Sequence, residues 1–299
     1  MNCLIINNPV SGHSKTEREI QIITEKLKTK FAPVDVQTTT ETLTAQIISE
    51  NNVGKYGLFV VLGGDGTFNE VLRGVAGRDR RPLIGYIPSG TVNDFARTEG
   101  IPLDYKEATD AIINGEPKPR GAMFINGIPA AYLVAAGMFT CVSYTTDQNR
   151  KRKIGKLAYY IEVLFRDSGR HGISLETEID GEKHSGLFTF VAALHNEHIG
   201  GMHVSRAKLE NGDPFYLILA KRKKGIFGLF ASLCSMANVY AKKIENAKNT
   251  KRIVVKKTDG ATLKALSEIQ WNIDGEKGPA GDAVITYKPN QFELVLPRK

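Results

Sequence analysis

The sequence is short of cysteine, and this shortage excludes one class of protein. Its 299 residues include three cysteines, Cys3, Cys141 and Cys234, which lie far apart and form no CxxC pair. Neither a disulfide scaffold nor a cysteine-ligated metal site is expected from such spacing. We therefore expect reduced thiols in a cytoplasmic protein.

Long apolar runs are also missing. The first residues, MNCLIINNPVSG, lack the basic segment of a signal peptide and are typical of a first strand. The two longest weakly charged stretches, 121–146 and 225–241, are broken by residues such as Asn126 and Asn238. Both fall short of the roughly 20 apolar residues that cross a bilayer. The sequence thus predicts no transmembrane segment.

Acidic residues are outnumbered by basic ones only in the second part of the chain. The net charge is +8, but residues 1–120 hold 14 Lys/Arg against 15 Asp/Glu, whereas residues 121–299 hold 26 against 17. This asymmetry indicates an anionic partner, a lipid surface or nucleic acid, unless it is only a solvated basic face. No nucleic-acid recognition motif accompanies the charge, so nucleic acid is not an expected partner.

The pattern of apolar runs divides the chain into two architectures. Short apolar runs at 3–7, 34–38, 56–62 and 83–87 alternate with helix-spaced segments at 14–28, 42–50, 68–75 and from about 93. This alternation predicts a parallel sheet with helices between its strands. A proline-rich joint follows at 116–121.

Beyond the joint, Asp-Gly and Asn-Gly turns separate alternating runs, which predicts a mostly antiparallel β domain. The predicted strands are 174–179, 187–194, 215–220, 252–256, 269–273 and 291–296, with helices at 156–166 and 226–240.

The stretch from Gly63 to Thr67 reads GGDGT, which has the spacing of neither a dinucleotide fingerprint nor a P-loop. It follows a buried strand and opens a helix, where free backbone N–H groups and the helix dipole favour an anion. Asp65 would repel a phosphate unless a cation lay between them, which suggests Mg²⁺ bridged by water. Thr67 and Glu70 have the spacing of a capping box. A simple tight turn is the alternative.

Three further loops have a similar composition. Residues 8–12, 38–40 and 88–97 are rich in Gly, Ser or Thr, and each follows a predicted strand. The carboxyl ends of parallel strands lie at one edge of a sheet, so we expect all four loops to form one rim. Together they favour a polyphosphate ligand, most simply a nucleoside triphosphate.

The motifs in these loops resemble those of a known family. NPxSG at 8–12, GGDGTxNE at 63–70 and GTxNDFAR at 90–97 resemble the catalytic domain of the diacylglycerol kinase and sphingosine kinase family, above all the bacterial soluble lipid kinases. Segments 155–159, 207–209 and 272–276 also match family positions in order. GGDGT alone is shared with NAD kinases, but its combination with GTxNDFAR and a late DGE argues against that alternative.

The resemblance implies an ATP- and Mg²⁺-dependent kinase that phosphorylates a hydroxyl of diacylglycerol or a related lipid or amphipathic alcohol. Residues 1–121 would form an α/β nucleotide-binding domain with a parallel, NAD kinase-like sheet, onto which a strand near 291–299 can pack back. Residues 122–290 would form a mostly antiparallel β-sandwich for the lipid. The nucleotide-binding residues implied are Asn8, Pro9, Ser11, Gly12, Thr40, Gly63, Gly64, Asp65, Gly66, Thr67, Phe68, Asn69, Glu70, Ser89, Gly90, Thr91, Asn93 and Asp94.

Catalysis, by the same resemblance, is assigned to Asp274 and Glu276 of the late DGE motif together with Asp65. The proton acceptor would come from the first two, with Glu276 as first choice. This agrees with the chemistry, because a hydroxyl that attacks a γ-phosphate benefits from a base and from a metal that neutralises developing charge. Asp274 followed by glycine also fits a hairpin turn.

Two departures from the family pattern concern the metal. Members usually carry an Asp near the domain joint, where this chain has Arg120 or Gly121. A structural magnesium loop, usually with an Asp-Asp-Gly run, here reads AKLENGDP at 207–214. Asn211 and Asp213 would then be its ligands, although the amide of Asn211 contributes no charge. A nucleotide- or lipid-binding regulator with weakened catalysis is therefore the alternative function.

Basic clusters precede two apolar helices. Residues 150–153 precede 157–165, and residues 221–224 precede 226–240. This order is typical of a protein that contacts anionic headgroups peripherally, although the apolar faces could instead belong to the core. We expect a lipid at a membrane surface as partner and leave a homodimer open. The remaining candidates, His195, His198 and His203, lack a third ligand and are expected to be loop or core residues.

Overall fold

The structure, a computed structural model, describes residues 1–138, 172–179 and 181–298. The predicted helix at 156–166, the basic cluster before it and Cys141 lie outside these residues. Cys3 and Cys234 are free thiols, the first buried and the second exposed. Within the described ranges, no helix has the length and apolar character needed to cross a membrane.

The N-terminal part is a parallel sheet with helices between its strands. The strands are β1 (Cys3–Asn7), β2 (Val34–Thr38), β3 (Leu58–Gly63) and β4 (Leu83–Pro88), and the helices are α1 (Glu17–Lys28), α2 (Ala45–Asn52), α3 (Asp65–Val75), α4 (Asp94–Glu99) and α5 (Tyr105–Asn114). The strands lie in the order β2-β1-β3-β4, and all three pairings are parallel. This confirms the predicted α/β architecture, with β1 and β2 at the predicted residues.

Alternation along each buried strand explains why helices cover both faces. In β1, Leu4 and Ile6 belong to the apolar cluster that includes α2 and α3, whereas Cys3 and Ile5 belong to the cluster that includes α1 and α5. Successive side chains point to opposite faces, so a continuous apolar run suits a strand covered on both sides. The carboxyl ends of the strands remain available for polar loops.

Side-chain caps set where the helices begin. Thr16 and Glu19 form a capping box at the start of α1, in which Thr16 Oγ1 accepts from the Glu19 N–H and the Glu19 carboxylate accepts from the Thr16 N–H. Thr44 caps α2, and Asp104 caps α5. A capping residue has non-helical dihedral angles. For this reason α1 and α2 start later than apolar spacing alone predicts.

The C-terminal part is antiparallel. Its elements are β5 (Glu116–Ile125), β6 (Ile128–Ala130), β7 (Leu133–Gly137), β8 (Ile173–Ile179), β9 (Glu182–Leu194), β10 (His198–Ile199), β11 (Met202–His203), β12 (Phe215–Lys221), α6 (Ile226–Lys242), a 3₁₀ turn (Ile244–Asn246), β13 (Ile253–Thr258), β14 (Gly260–Ala265), β15 (Gln270–Ile273), β16 (Glu276–Ala280) and β17 (Ala283–Leu296). The strands enclose an apolar core that includes the fully buried Trp271. The predicted antiparallel, strand-rich second part is confirmed.

The proline-rich stretch 116–121, interpreted from the sequence as a joint, forms the first half of β5. β5 pairs with β17 along most of its length, whereas β6 covers only Met123–Ile125. Pro117 and Pro119 therefore occupy a half-strand that, among the described strands, is paired on one side. Such an edge tolerates the missing backbone donor of proline.

β17 joins the two architectures. Its first half pairs antiparallel with β14, and its end pairs parallel with β4 through Glu293 and Leu294. The sheet is consequently continuous from the parallel strands into the antiparallel ones. The expected domain boundary at residue 121 falls inside β5.

Candidate active site

Three of the four predicted loops are bonded to one another at the carboxyl edge of the parallel sheet. Asn8 Nδ2 donates to Thr67 Oγ1 at 2.7 Å, which joins the loop after β1 to the start of α3. Ser11 and Ser89 share a hydroxyl–hydroxyl hydrogen bond of 2.7 Å, which joins the first loop to the loop after β4. Thr40 lies one strand further out, where its hydroxyl accepts from the Leu43 N–H.

Glycines allow these loops to approach closely, and we call the resulting surface the glycine rim (residues 8–12, 63–67 and 89–93). A Cβ atom on Gly90 would lie 2.7 Å from Gly64 Cα, and one on Gly12 would lie 2.4 Å from Thr91 Oγ1. The Gly90 contact is with backbone, so this position needs glycine, whereas the Gly12 contact is with a side-chain hydroxyl. A rim of exposed backbone beside a helix N-terminus is suited to phosphate.

The rim is fixed by Asn93, which adopts the left-handed conformation at φ 56°. Its side-chain oxygen accepts from the Gly90 N–H at 2.9 Å, and its side-chain nitrogen donates to the Gly90 carbonyl at 2.8 Å. The turn between β4 and α4 is therefore closed by the asparagine side chain. Asparagine tolerates this backbone conformation better than most residues.

The predicted capping box of Thr67 and Glu70 is wrong. The helix α3 begins at Asp65, and its N-cap is Gly64, which has no side chain to offer. Thr67 is thus already inside the first turn, and the Glu70 carboxylate accepts from the Ala45 N–H at 2.8 Å. Glu70 therefore supports the start of α2 rather than that of its own helix.

Two further predicted residues of α3 face inward. Phe68 packs against Phe95 at 4.4 Å between ring centroids and also contacts Tyr86. Asn69 is fully buried, and its amide oxygen and nitrogen make no hydrogen bond within the described part of the chain. Both side chains lie behind the glycine rim.

Asp65 and Asp94 form a pair of neighbouring carboxylates beside the rim. Asp65 accepts backbone N–H bonds from Asp94 at 2.9 Å and Phe95 at 3.3 Å. Asp94 accepts N–H bonds from Gly200 at 2.5 Å and Gly201 at 2.9 Å, which attaches the β10–β11 hairpin to the rim. Burial, followed by the Asp94 carboxylate, raises the pKa of Asp65 to about 7, and burial also raises the pKa of Asp94. A cation here would favour both ionised forms.

The structure separates the roles that Asp274 and Glu276 can have. Asp274 is buried at φ 50°, and its carboxylate accepts three backbone N–H bonds, from Ala131 at 2.6 Å, Tyr132 at 3.0 Å and Leu133 at 2.8 Å. Burial nevertheless raises the pKa of Asp274 to about 6. With both oxygens engaged, this side chain holds the turn that precedes β16.

Glu276 reaches the rim from the antiparallel part. A Cβ atom on Gly66 would lie 2.6 Å from Glu276 Oε1, so the carboxylate stands against the first turn of α3. Arg73 Nη2 lies 3.9 Å from Glu276 Oε2. Burial and the Glu70 carboxylate raise the pKa of Glu276 to about 7, while Arg73 lowers it.

Arg73 is a site residue that the sequence analysis did not identify. Its Nε and Nη2 atoms are buried and make no hydrogen bond among the described residues. Arg73 lies seven residues after Gly66, which places both on one face of α3, two turns apart. The sequence shows this spacing, but it does not show the contact with Glu276, which lies about 200 residues further along the chain.

The side chains of the predicted structural metal loop bond to other protein groups. The Asp213 carboxylate pairs with Lys257 at 2.8 Å and accepts from the Glu210 N–H. The Asn211 side-chain oxygen accepts from the Asn290 N–H at 3.0 Å. Over the residues that the structure describes, no group of three or more His, Cys, Asp or Glu is arranged to hold a metal.

Of the three histidines near this region, His198 and His203 face each other across the β10–β11 pair, with their ring centroids 4.9 Å apart. The His195 ring stacks on Tyr287 at 4.4 Å, and its Nε2 lies 3.0 Å from the Asp213 carbonyl. His198 Nδ1 bonds to the Thr98 hydroxyl at 3.0 Å. His203 Nε2 lies 3.8 Å from a Glu197 carboxylate oxygen.

Comparison with known proteins places the chain in a family. A family model described as the diacylglycerol kinase catalytic domain matches residues 2–124. A curated diacylglycerol kinase of Staphylococcus aureus (strain bovine RF122 / ET3-1) is 32% identical over 283 residues, covering 92% of this chain and 85% of that protein. A diacylglycerol kinase of Staphylococcus carnosus (strain TM300) is 31% identical over 303 residues, covering 98% and 94%.

A solved structure of a diacylglycerol kinase from Bacillus anthracis str. Sterne has the same fold. It superposes with a TM-score of 0.75 at 22% identity, covering 99% of this chain and 96% of that chain. Given the staphylococcal identities over nearly the whole chain, this protein belongs to the diacylglycerol kinase family and is a lipid kinase.

Proposed function

We propose that this protein transfers the γ-phosphoryl group of ATP to a hydroxyl of diacylglycerol or a related lipid alcohol. The observation that carries the proposal is the position of Glu276, a carboxylate from the antiparallel part that stands against Gly66 of the glycine rim. A base is thereby placed beside a phosphate-binding turn, as general base catalysis requires. The name of the staphylococcal relatives supports diacylglycerol as the acceptor.

The triphosphate would lie on the glycine rim. Backbone N–H groups at the start of α3 and the hydroxyls of Ser11 and Thr91 would be the donors there, while the buried Ser89 hydroxyl bonds to that of Ser11. Thr40, one strand further out, would reach another part of the nucleotide. Phe68, Asn69 and Glu70 lie behind the rim, so we assign them to supporting its shape. Such positioning is the main work of a phosphoryl-transfer site.

Of the two predicted metal sites, only the one at Asp65 fits a magnesium ion. Asp65 and Asp94 are neighbouring carboxylates, and burial, together with the Asp94 carboxylate in the case of Asp65, raises the pKa of each. Carboxylate oxygens retain free lone pairs after accepting two N–H bonds. When bound, Mg²⁺ would neutralise charge on the transferring phosphoryl group. The loop with Asn211 and Asp213 does not fit, because Lys257 already neutralises the Asp213 carboxylate and the amide oxygen of Asn211, which accepts from the Asn290 N–H, carries no charge.

The chemical step follows from the geometry of Glu276. The acceptor hydroxyl oxygen forms a bond to the γ-phosphorus while the bond from that phosphorus to the β–γ bridging oxygen breaks and ADP leaves. The hydroxyl proton passes to Glu276. A carboxyl whose pKa is about 7 is partly ionised at neutral pH, which suits it to accept and then release a proton. Asp274 holds the turn that presents Glu276.

Transfer of labelled phosphate from ATP to diacylglycerol in mixed micelles tests the proposal. We expect Glu276→Gln to lower kcat by about 10²–10⁴-fold, and Glu268→Gln, which changes an exposed carboxylate of the same part, to leave it unchanged. Full activity in both Glu276→Gln and Asp65→Asn would refute the mechanism. ATP binding without transfer to any lipid would favour the alternative function, a nucleotide- or lipid-binding regulator.

A further inference from the structure

Helix α6 exposes an uncharged apolar stripe. Phe227 is 87% exposed and Phe230 is 67% exposed. Cys234, Ala237 and Ala241 continue the stripe at spacings of three and four residues and are exposed as well. No charged residue occurs between Gly225 and Lys242. A surface helix of a globular protein normally turns charged residues to solvent, so this outer face differs from a solvated one.

The opposite face of α6 holds the helix on the protein. Leu229 and Ser232 are buried, and the helix packs against β12 and β13. Val239 belongs to a small apolar cluster with Ile218 and Ile244. The helix is therefore fixed by one face while the two phenylalanines of the other project outward.

Both ends of α6 are basic. Lys223 and Lys224 precede the helix, and Lys242 ends it; all three are exposed. None of them forms an ion pair with any residue that the structure describes. Lysines at a helix N-terminus add to the positive end of the helix dipole, so this end favours an external anion. The surface thus has positive charge at both ends of an apolar stripe about 25 Å long.

The C-terminal end of α6 is linked to the candidate active site. Lys243, directly after the helix, donates from Nζ to the His203 carbonyl of β11. The same hairpin donates from Gly200 and Gly201 to Asp94 at the glycine rim. A surface contacted by α6 would therefore lie near the place where an acceptor must enter.

We propose that α6 is the surface by which this protein docks on an anionic phospholipid bilayer. Phe227 and Phe230 insert at the level of the headgroups, and Lys223, Lys224 and Lys242 contact lipid phosphates. The proposal rests on the proposed lipid kinase function, which requires access to a bilayer.

A second copy of the chain is a poorer occupant of this surface. Two α6 helices packed antiparallel about a twofold axis would bring the lysines of one end against those of the other, which is repulsive. Nucleic acid would match the charge, but the stripe between the lysines offers apolar side chains in place of hydrogen-bonding ones. A bilayer surface matches both the charge and the apolar stripe.

Flotation with vesicles tests the proposal on the full chain. Vesicles of phosphatidylcholine with about one third phosphatidylglycerol should bind the wild type, and pure phosphatidylcholine should bind it weakly, because basic residues are attracted to anionic lipid. We expect the double variant Phe227→Ser, Phe230→Ser to lower the partition coefficient by about tenfold or more, from the loss of two apolar side chains. Lys223→Gln with Lys224→Gln should lower it several-fold, and less at high salt.

Leu266→Ser is the matched control, because Leu266 is 50% exposed on the same antiparallel part but away from α6. It should leave binding unchanged, and all variants should keep the melting temperature of the wild type. Transfer to a short-chain diacylglycerol dispersed in water should be retained by the α6 variants, since their defect is in docking. If the wild type transferred no phosphate while its vesicle binding still depended on α6, the kinase function would be refuted. The docking surface would remain supported.

Unchanged vesicle binding by both double variants would overturn the docking proposal. Absence of vesicle binding would also overturn it if sedimentation showed a dimer that depends on α6. The same holds if the protein bound a labelled oligonucleotide through α6 instead of vesicles. Each of these outcomes assigns the exposed stripe to another partner.

Discussion

Replacement of Arg73 should change the pH dependence of the reaction because Arg73 is the cation beside Glu276. Arg73 Nη2 and Glu276 Oε2 are 3.9 Å apart, and their side chains are 18% and 37% exposed. Unit charges at about 4 Å interact by about 1 kcal/mol at the dielectric constant of water and about 4 kcal/mol at an effective value of 20. Exposure favours the lower part of this range, about 1–1.5 kcal/mol, or about one pKa unit.

The sign of the effect follows from the role of Glu276 as a proton acceptor. Protonated Glu276 cannot accept the hydroxyl proton, so activity should fall as the pH decreases through its pKa of about 7. Removal of Arg73 disfavours the carboxylate and raises this pKa. Arg73→Met should therefore shift the acid limb of the pH–rate profile upward by about one unit, lowering kcat/KM by about tenfold well below the limb but little at pH 8.5 or above.

Initial rates of phosphoryl transfer between about pH 5.5 and 9 measure this shift. Arg73→Lys is the matched control, because it keeps the charge and should keep the limb near its original position. A limb that stays in place in Arg73→Met would refute the electrostatic role. A loss of the same size at every pH would assign Arg73 to folding or packing.

Three further predictions concern the same region. Asp274→Asn should destabilise the protein by about 2–3 kcal/mol, measured by urea unfolding, because an amide cannot accept all three backbone N–H bonds. Glu268→Gln, at an exposed carboxylate, should leave the stability unchanged. The melting temperature of the ligand-free protein should fall as the pH rises from about 4 to 7. The reason is that the pKa values of Asp65 and Glu276 are raised to about 7 in the folded protein, so folding favours their protonated forms. Asp65→Asn should flatten this dependence. Gly90→Ala should raise the Kd for ATP, because its Cβ atom would lie 2.7 Å from the glycine opposite, whereas Gly212→Ala, with nothing within 4 Å, should not.

The parallel sheet and its polar edge were predictable because their signals are local. The strands β1 and β2 are short apolar or alternating runs bounded by polar residues, and their observed limits equal the predicted ones. Once parallel pairing is assumed, the loops after β1, β3 and β4 must meet at one edge. The hydrogen bond from Asn8 to Thr67 and the one between Ser11 and Ser89 agree with that inference.

Prediction was harder where a local pattern has more than one structural outcome. Thr67 and Glu70 have capping-box spacing, but the helix starts at Asp65, and Glu70 is used by α2 instead. The prolines at 117 and 119 signal a break in most contexts, but a half-paired strand tolerates them. In both cases, tertiary contacts that the sequence does not display decide the outcome.

The residues that depart from the family pattern make contacts with other protein groups. Arg120 makes two hydrogen bonds to the Glu99 carboxylate, at 2.9 and 2.8 Å, and Lys208 adds a third contact at 3.3 Å. Gly121 has no room for an aspartate, because a Cβ atom there would lie 2.1 Å from the Tyr287 hydroxyl, which donates to the Asn211 carbonyl.

Positive side chains therefore stand where a carboxylate and a second metal were expected. Arg120 and Lys208 neutralise Glu99, and Lys257 neutralises Asp213. A bidentate guanidinium–carboxylate pair fixes geometry as well as charge, so it can hold β5 against α4 without an ion. The proposed magnesium site is therefore confined to the carboxylates at the glycine rim, whereas protein contacts hold the loop with Asn211.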